Sequence, residues 1–444
     1  MIRTVNTLRT LFSALLLALA LPNGLFPNGL TFVGLVALVP AFYVVFDART
    51  RREASLYGAL FGAVSTAVAN YWLAFFGEFS IWTIGGTVIG YTGYNFILFG
   101  YLYHIVHDLA RRDVPFDSDG VYPRSGARAL KIAIAWTGYE YLKSVGFVGY
   151  PWGLVAYPLA NVHLVAQIAE VTGVWGLSFI AAYINGSVAE YTYGVEPRRR
   201  GKPFAALSFR LCPGSPRYHL GAAALLLAVS AVFGAVRLPF IEPTKSYPFV
   251  LVQQNIDSWS PGRFSTALER AQRLTLREIV SAVDRLGVVP AAVVWSETSL
   301  RVPYDPTEEY YQQEPSGIPF RQFMRAIRTP LVTGTPERSV RSPGDYHNGA
   351  VVILPNGEVS GRYGKQQLVP FAESIPFWET QAVQTFFREV IGLAGVWVPG
   401  SSSNTIELPV ADGTIQIGTP ICFEDGFGWV PREMVQNGAR LLVN

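Results

Sequence analysis

Glutamate, lysine and cysteine side chains in the C-terminal half of the chain are of the types that acyl transfer through a thiol requires. Glu297 ends the run Val-Val-Trp-Ser-Glu, Lys365 lies within Tyr-Gly-Lys-Gln-Gln, and Cys422 ends Gly-Thr-Pro-Ile-Cys. In such chemistry a thiolate attacks a carbonyl carbon, a carboxylate accepts and returns the proton, and an ammonium group stabilises the oxyanion. The ammonium group would also lower the pKa of the thiol. Together the three residues predict a nucleophilic cysteine.

Each of these residues also has a simpler structural interpretation. A free cysteine is more often a small apolar side chain in a core, a glutamate after a strand can cap the next turn, and most lysines are solvated. Cys422 is predicted at the end of a buried strand, residues 414–421, and two carboxylates, Glu424 and Asp425, follow shortly after it. A rigid element beside carboxylates is a suitable position for a nucleophile, so we favour that interpretation.

The composition of the chain indicates a membrane protein with more than one domain. Its 444 residues are 50% hydrophobic and 15% charged, the net charge is +3, and the mean hydropathy is +0.26. These values are too apolar for an ordinary soluble protein and require membrane spans. Neither Cys212 nor Cys422 lies in a Cys-X-X-Cys pattern. We predict no disulfide between them, because they fall on opposite sides of the predicted membrane.

The N-terminal half predicts seven transmembrane helices with a defined orientation. Most of the apolar segments approach the length of about 20 residues that a span needs, and they cover residues 8–21, 30–46, 56–76, 81–106, 129–145, 163–183 and 220–236. Lysine and arginine occur at the N-terminus and in the loops after the second, fourth and sixth segments. Residues 22–29, 77–80 and 146–162 carry none. This asymmetry predicts a cytoplasmic N-terminus and places everything after about Val236 outside.

Other polar residues of this half have weaker functional interpretations. His104 and His107 share a helix face, but no third ligand accompanies them, so no metal site is predicted. Glu140 and Glu170 lie within or at the ends of predicted spans, where carboxylates are either functional or form hydrogen bonds between helices. The small-residue pairs Gly58/Gly62 and Gly86/Gly90 predict close helix packing.

From Phe249 onward the hydrophobic periodicity changes to that of an α/β domain. Short apolar strands alternate with amphipathic helices and with two hairpins. Strands are predicted at residues 249–255, 291–295, 331–334, 348–354, 358–363, 405–409, 414–421 and 440–444, and helices at 265–286, 318–327 and 431–436. The chain stops inside the last strand, so we predict a domain that is truncated at its C-terminus.

Several stretches resemble the apolipoprotein N-acyltransferases, a family whose catalytic half is of the nitrilase superfamily. They span nearly the whole chain and comprise Asn70-Tyr-Trp-Leu, Pro151-Trp, Gly173-Val-Trp-Gly-Leu-Ser, Val252-Gln-Gln-Asn, Trp295-Ser-Glu-Thr, Lys365 through Glu373 and Ile421-Cys-Phe-Glu. The resemblance implies a multi-pass α-helical membrane domain, residues 1–240. It also implies an α/β nitrilase-like domain with an αββα sandwich, residues 247–444, outside the cytoplasmic membrane.

The resemblance also implies roles for individual residues. Glu297 would be the general base, Lys365 the oxyanion stabiliser and Cys422 the nucleophile. The supporting or substrate-binding residues would be Glu373, Glu424, Trp259 and Phe423. Of these, Glu373 resembles a second carboxylate close to the triad, and Phe423 stands where the family commonly has a tyrosine.

The reaction implied is acyl transfer from a phospholipid, typically phosphatidylethanolamine, to the N-terminal amine of a diacylated lipoprotein, through a Cys422 thioester. We expect no cofactor, metal or nucleic acid, and a monomer in the bacterial inner membrane. Two alternatives remain open on the sequence. One is a membrane-tethered amidase of the nitrilase type, and the other is a binding or transport module whose three residues are inert.

Overall fold

The computed structural model describes residues 2–75, 80–111, 128–195, 216–240, 245–256, 262–305, 307, 309–340, 344–391 and 395–444. The chain divides into two compact units, Met1–Glu242 and Pro243–Asn444. The first is built from helices, and the second contains the strands.

The helical unit has ten α-helices within its described residues. They are α1 (Ile2–Ala20), α2 (Thr31–Gly34), α3 (Val39–Asp47), α4 (Arg51–Ala69), α5 (Ser80–Arg111), α6 (Arg128–Lys143), α7 (Tyr157–Ala160), α8 (His163–Ala166), α9 (Ala169–Val195) and α10 (Pro216–Arg237). By length and hydropathy, two helices in the described part could cross a membrane, and they cover Ala169–Tyr193 and Pro216–Phe240. The other predicted spans stay predictions.

Two of the predicted spans are not continuous helices. The segment predicted at residues 30–46 forms α2 and α3, and α3 has Pro40 in its first turn. Proline lacks the N–H that a helix interior needs, so the helix restarts there. The segment predicted from residue 163 forms α8 and then α9, and within α9 the backbone of Gly173 is non-helical, with φ of 63°.

Close packing of α4 on α5 depends on two of the four predicted glycines. A Cβ atom on Gly58 would lie 2.3 Å from the carbonyl oxygen of Asn95, and one on Gly62 would lie 2.5 Å from that of Tyr91. The prediction of close packing is therefore confirmed for this pair. It is wrong for Gly86 and Gly90 among the described residues, since none of their atoms lies within 4 Å of a Cβ placed there.

The second unit contains a five-stranded sheet and a three-stranded sheet. Its elements are β1 (Phe249–Val252), α11 (Phe264–Leu286), β2 (Ala292–Trp295), α12 (Tyr310–Gln313), α13 (Phe320–Ile327), β3 (Leu331–Arg338), β4 (Tyr346–Ile353), β5 (Val359–Gly364), α14 (Gln381–Phe386), β6 (Ile406–Val410), β7 (Gly413–Gly418), α15 (Trp429–Gln436) and β8 (Leu441–Leu442). Strands β1 to β3 are parallel, and β3 to β5 are antiparallel. In the smaller sheet β6–β7 is antiparallel and β7–β8 parallel.

One hydrophobic core lies between the larger sheet and its helices. Trp295 on β2 packs against Phe320 and Phe323 of α13, with ring centroids 5.9 and 5.5 Å apart. Alternate residues of β1, Val250 and Val252, face the same core. Burial of these side chains fixes which face of each strand points towards the core. Glu297 and Lys365 follow the C-terminal ends of β2 and β5.

Candidate active site

Glu297 lies two residues beyond the end of β2, where the backbone passes close to β3. A Cβ atom on Gly334 of β3 would lie 2.3 Å from the amide nitrogen of Thr298 and 2.8 Å from Cα of Glu297. Only glycine allows this approach, and the amide of Leu300 then donates to the carbonyl oxygen of Gly334 at 3.0 Å. The position of Glu297 is therefore set by the backbone of the neighbouring strand.

Lys365 follows β5 directly, and its side chain is 1% exposed. Its amide donates to the carbonyl oxygen of Asn348 on β4 at 2.8 Å, which extends the β4–β5 pairing by one residue. The Nζ atom lies 2.8 Å from Oε2 of Glu373 and 4.0 Å from Oε1 of Glu297. Burial lowers the pKa of Lys365, but the two carboxylates outweigh it and the pKa is raised. The group is therefore an ammonium ion at neutral pH.

Glu373 is the close partner of Lys365. Its Oε1 atom accepts from Nζ of Lys365 and from Nδ2 of Asn348, both at 2.9 Å, and its Oε2 atom accepts from the amide of Val369 at 2.8 Å. A buried cation is stable only when it is paired and hydrogen-bonded. Glu373 supplies that pairing and leaves Glu297 at a longer distance.

Cys422 begins a short 3-10 helix, Cys422–Gly426, and its φ is +51°. The predicted strand end is wrong: β7 ends at Gly418, and three residues separate it from the cysteine. The left-handed conformation is strained for a residue with a side chain, and such strain is concentrated at functional sites. Cys422 is exposed to solvent.

The thiol of Cys422 is harder to ionise than the sequence suggested. Desolvation by the surrounding protein and the charge of Glu297 raise the pKa of Cys422 to about 11, whereas Lys365 acts in the opposite direction. The ammonium group of Lys365 does lower the pKa of Cys422, as expected, but burial and Glu297 outweigh it, so the pKa is raised overall. The cysteine is therefore a thiol at neutral pH, and a base must remove its proton before it attacks.

Glu424 connects the lysine and cysteine segments from inside the protein. It is fully buried. Its Oε1 atom accepts from the hydroxyl of Tyr363 and from the amides of Gln366 and Gln367, at 2.7 to 3.0 Å. Its Oε2 atom accepts from the amide of Ile421 at 2.8 Å. These contacts fix the chain immediately after Lys365 and immediately before Cys422.

Two further predicted residues have different outcomes. Phe423 is 2% exposed and packs edge to face on Phe427, with centroids 4.9 Å apart, so its ring belongs to the interior. Trp259 lies outside the described residues, as does Cys212.

In the described ranges no group of three or more His, Cys, Asp or Glu side chains could hold a metal ion. His107 instead contacts the carbonyl oxygen of Val45 at 3.1 Å.

Asn348 also belongs to the site, and its role was not predicted from the sequence. This residue lies near the start of β4, and its Nδ2 atom donates to Oε1 of Glu297 at 2.7 Å and to Oε1 of Glu373 at 2.9 Å. One signal was present, since Asn348 is a polar residue that directly precedes the apolar run Gly-Ala-Val-Val-Ile. The structure thus brings Glu297, Lys365, Glu373 and Asn348 together by direct contacts, and Cys422 interacts electrostatically with the three charged groups.

Comparison with known proteins identifies the family. Residues 13–187 match the apolipoprotein N-acyltransferase N-terminal domain, and residues 252–444 match the carbon-nitrogen hydrolase domain. The chain is 31% identical to apolipoprotein N-acyltransferase 2 of Treponema pallidum (strain Nichols) over 100% of this chain and 78% of that protein. It is 24% identical to apolipoprotein N-acyltransferase of Borreliella burgdorferi over 98% of this chain and 76% of that protein.

A fold comparison adds a weaker likeness. The crystal structure of a carbon-nitrogen hydrolase from Helicobacter pylori G27 aligns with 44% of this chain and 57% of that chain, at 17% identity and a TM-score of 0.27, which is too low to support a conclusion. The family assignment rests instead on the two domain matches and on the relatives that align with nearly all of this chain. The chain belongs to the apolipoprotein N-acyltransferase family.

Proposed function

We propose that this protein transfers a fatty acyl chain from a phospholipid to the N-terminal amine of a diacylated lipoprotein, through a thioester on Cys422. Family membership supports the overall reaction. The assignment of roles to residues rests on the groups around Cys422. A strained, exposed thiol interacts with a carboxylate and with a buried ammonium group held by a second carboxylate.

In the first half-reaction Sγ of Cys422 attacks the ester carbonyl carbon of the phospholipid. Glu297 accepts the thiol proton as the carbon–sulfur bond forms. The ammonium group of Lys365 stabilises the negative charge that develops on the carbonyl oxygen. When the carbon–oxygen bond of the ester breaks, Glu297 returns the proton to the leaving alkoxide of the lysophospholipid.

In the second half-reaction the amine of the lipoprotein attacks the same carbonyl carbon. A carbon–nitrogen bond forms, the carbon–sulfur bond breaks, and Glu297 passes the amine proton to the departing thiolate. The thioester must survive in the presence of water, which requires that water be excluded from the acyl group.

We expect ping-pong kinetics from this scheme. Labelled phospholipid supplied alone should release one equivalent of lysophospholipid per enzyme and leave the label on the protein, and a diacylated lipopeptide added afterwards should remove it. The measurement is quantification of lysophospholipid, free fatty acid and acylated lipopeptide over time. A Cys422→Ala sample is the control. Continuous release of free fatty acid, unchanged by lipopeptide, would contradict transfer and indicate a hydrolase of the amidase type.

We further propose that residues 1–240 form a multi-pass domain in the bacterial inner membrane, with the N-terminus in the cytoplasm and residues 247–444 outside. The two long apolar helices and the distribution of lysine and arginine support this placement. Phosphatidylethanolamine as the donor and a monomeric state are part of the same proposal.

The placement predicts different accessibility for the two cysteines. A membrane-impermeant maleimide applied to spheroplasts at alkaline pH should label Cys422, and should label Cys212 only after the membrane is permeabilised. Single-cysteine variants, Cys212→Ala and Cys422→Ala, assign the signal. Labelling of Cys212 in intact spheroplasts, with Cys422 protected, would reverse the proposed orientation.

A further inference from the structure

The carboxamide of Asn348 lies between the two carboxylates of the site. The residue is 2% exposed. Its Nδ2 atom donates one hydrogen bond to Oε1 of Glu297 at 2.7 Å and one to Oε1 of Glu373 at 2.9 Å, so both amide hydrogens are used. Its Oδ1 atom is buried and accepts no hydrogen bond from the described residues.

This arrangement fixes the orientation of the amide group. Rotation by half a turn would place the oxygen of Asn348 against two carboxylate oxygens, and both carboxylates would lose a donor. An unsatisfied buried acceptor is unfavourable. Its presence here indicates that Asn348 contributes to the site through its two N–H groups and not through its oxygen.

The contacts of Asn348 distinguish the two oxygens of Glu297. Oε1 lies 2.7 Å from Nδ2 of Asn348 and 4.0 Å from Nζ of Lys365. Oε2 accepts no hydrogen bond within the described part of the chain, and 35% of the Glu297 side chain is exposed. By contrast, both oxygens of Glu373 are occupied by donors.

Building on the proposed function, we propose that Asn348 is a positioning residue that anchors Oε1 of Glu297, so that Oε2 is the oxygen that takes the proton of Cys422. The anchor keeps Glu297 from closing into a tight ion pair with Lys365, which Glu373 already pairs. Oε2 of Glu297 then stays available for the proton, and the ammonium group of Lys365 stays available to the oxyanion. The neutral side chain of Asn348 thus lies between a structural carboxylate, Glu373, and a reactive carboxylate, Glu297.

The consequence is a specific dependence of acylation on the N–H donor. A variant without the donor loses the orientation of Glu297, so acylation of Cys422, which needs Glu297 as a base, should slow. Alkylation of the thiol by a small reagent in alkaline solution needs no base in that position and should change little.

The test is single-turnover acylation of Cys422 by labelled phospholipid in the 444-residue chain, beside alkylation of Cys422 by iodoacetamide at alkaline pH in a Cys212→Ala background. Asn348→Leu is close in size and has no donor. It should lower the acylation rate by about 10- to 10²-fold, the value of one hydrogen bond to a charged group, and leave the alkylation rate close to that of wild type. Asn356→Ala is the matched control, because Asn356 lies in the turn of the same hairpin and its amide contacts exposed Glu358.

Asn348→Ala removes the same donors without placing apolar atoms against the carboxylates, and it extends the test if the leucine variant does not fold. Slower acylation with alkylation unchanged supports the proposal. An acylation rate that is unchanged, or that falls together with the rate of alkylation, would overturn it. Wild-type protein that forms no thioester on Cys422 would instead overturn the proposed function itself.

Discussion

Replacing Cys422 by alanine is expected to abolish acyl transfer. The side chain that would carry the acyl group is removed, while the volume of the residue changes little and the buried contacts of Glu424 stay in place. Loss of a nucleophile in such a site lowers turnover by about 10⁴-fold or more. The measurement is the conversion of a diacylated lipopeptide to the triacylated form with a phospholipid donor.

Cys212→Ala is the control for this experiment, because the chain has two cysteines. This variant should transfer acyl groups at the wild-type rate. Cys422→Ser keeps the size of the side chain and should also be inactive, since an alcohol is far less acidic than a thiol. Substantial turnover in both Cys422 variants, with the protein folded, would show that another group carries the acyl chain.

Replacing Glu297 and replacing Lys365 should have opposite effects on ionisation of the Cys422 thiol. Both replacements should slow acyl transfer. Loss of a general base or of an oxyanion donor costs about 10²- to 10⁴-fold in rate. Glu297→Gln and Lys365→Met should therefore both lower transfer by that factor. The charge of Glu297 raises the pKa of Cys422, and that of Lys365 lowers it. The glutamine variant should accordingly ionise its thiol at lower pH, and the methionine variant at higher pH.

The measurement is the rate of alkylation of Cys422 by iodoacetamide as a function of pH, in a Cys212→Ala background, beside the transfer rate. Wild-type protein should alkylate faster as the pH rises towards about 11. Glu297→Gln should alkylate faster than wild type at mildly alkaline pH and yet transfer more slowly. Lys365→Arg, which keeps the charge, serves as the control for Lys365→Met. Faster alkylation accompanied by faster transfer in Glu297→Gln would contradict its role as a base.

The positions of Glu297 and Lys365 just after strands could be predicted from the sequence, because the strands appear as short apolar runs. Glu297 and Lys365 do follow β2 and β5. Asn348 could not be assigned in this way. Its role depends on the alignment of β4 between β3 and β5, where it pairs with Pro336 and where its carbonyl oxygen accepts from Lys365. Those partners are distant in sequence, and periodicity carries no information about them.

The structure also differs from the sequence predictions where the backbone interrupts an apolar segment and where several charges act on Cys422 together. The strand before Cys422 ends early, because β7 loses its pairing with β6 after Ile417, and Pro420 lacks the N–H that a ladder requires. In the helical unit, Pro40 and Gly173 interrupt segments that hydropathy alone joins. The pKa of Cys422 depends on burial and three charges together, so the presence of one lysine could not predict its direction.

The most direct test of the proposed mechanism is mass spectrometry of the peptide that contains Cys422, after incubation of the 444-residue chain with phospholipid in the absence of lipoprotein. The account predicts a mass increase of one acyl chain on Cys422, removable by neutral hydroxylamine, strongly reduced in Lys365→Met and lost on addition of a diacylated lipopeptide. An unmodified Cys422 together with acyl-lipopeptide formation in the complete reaction would contradict it.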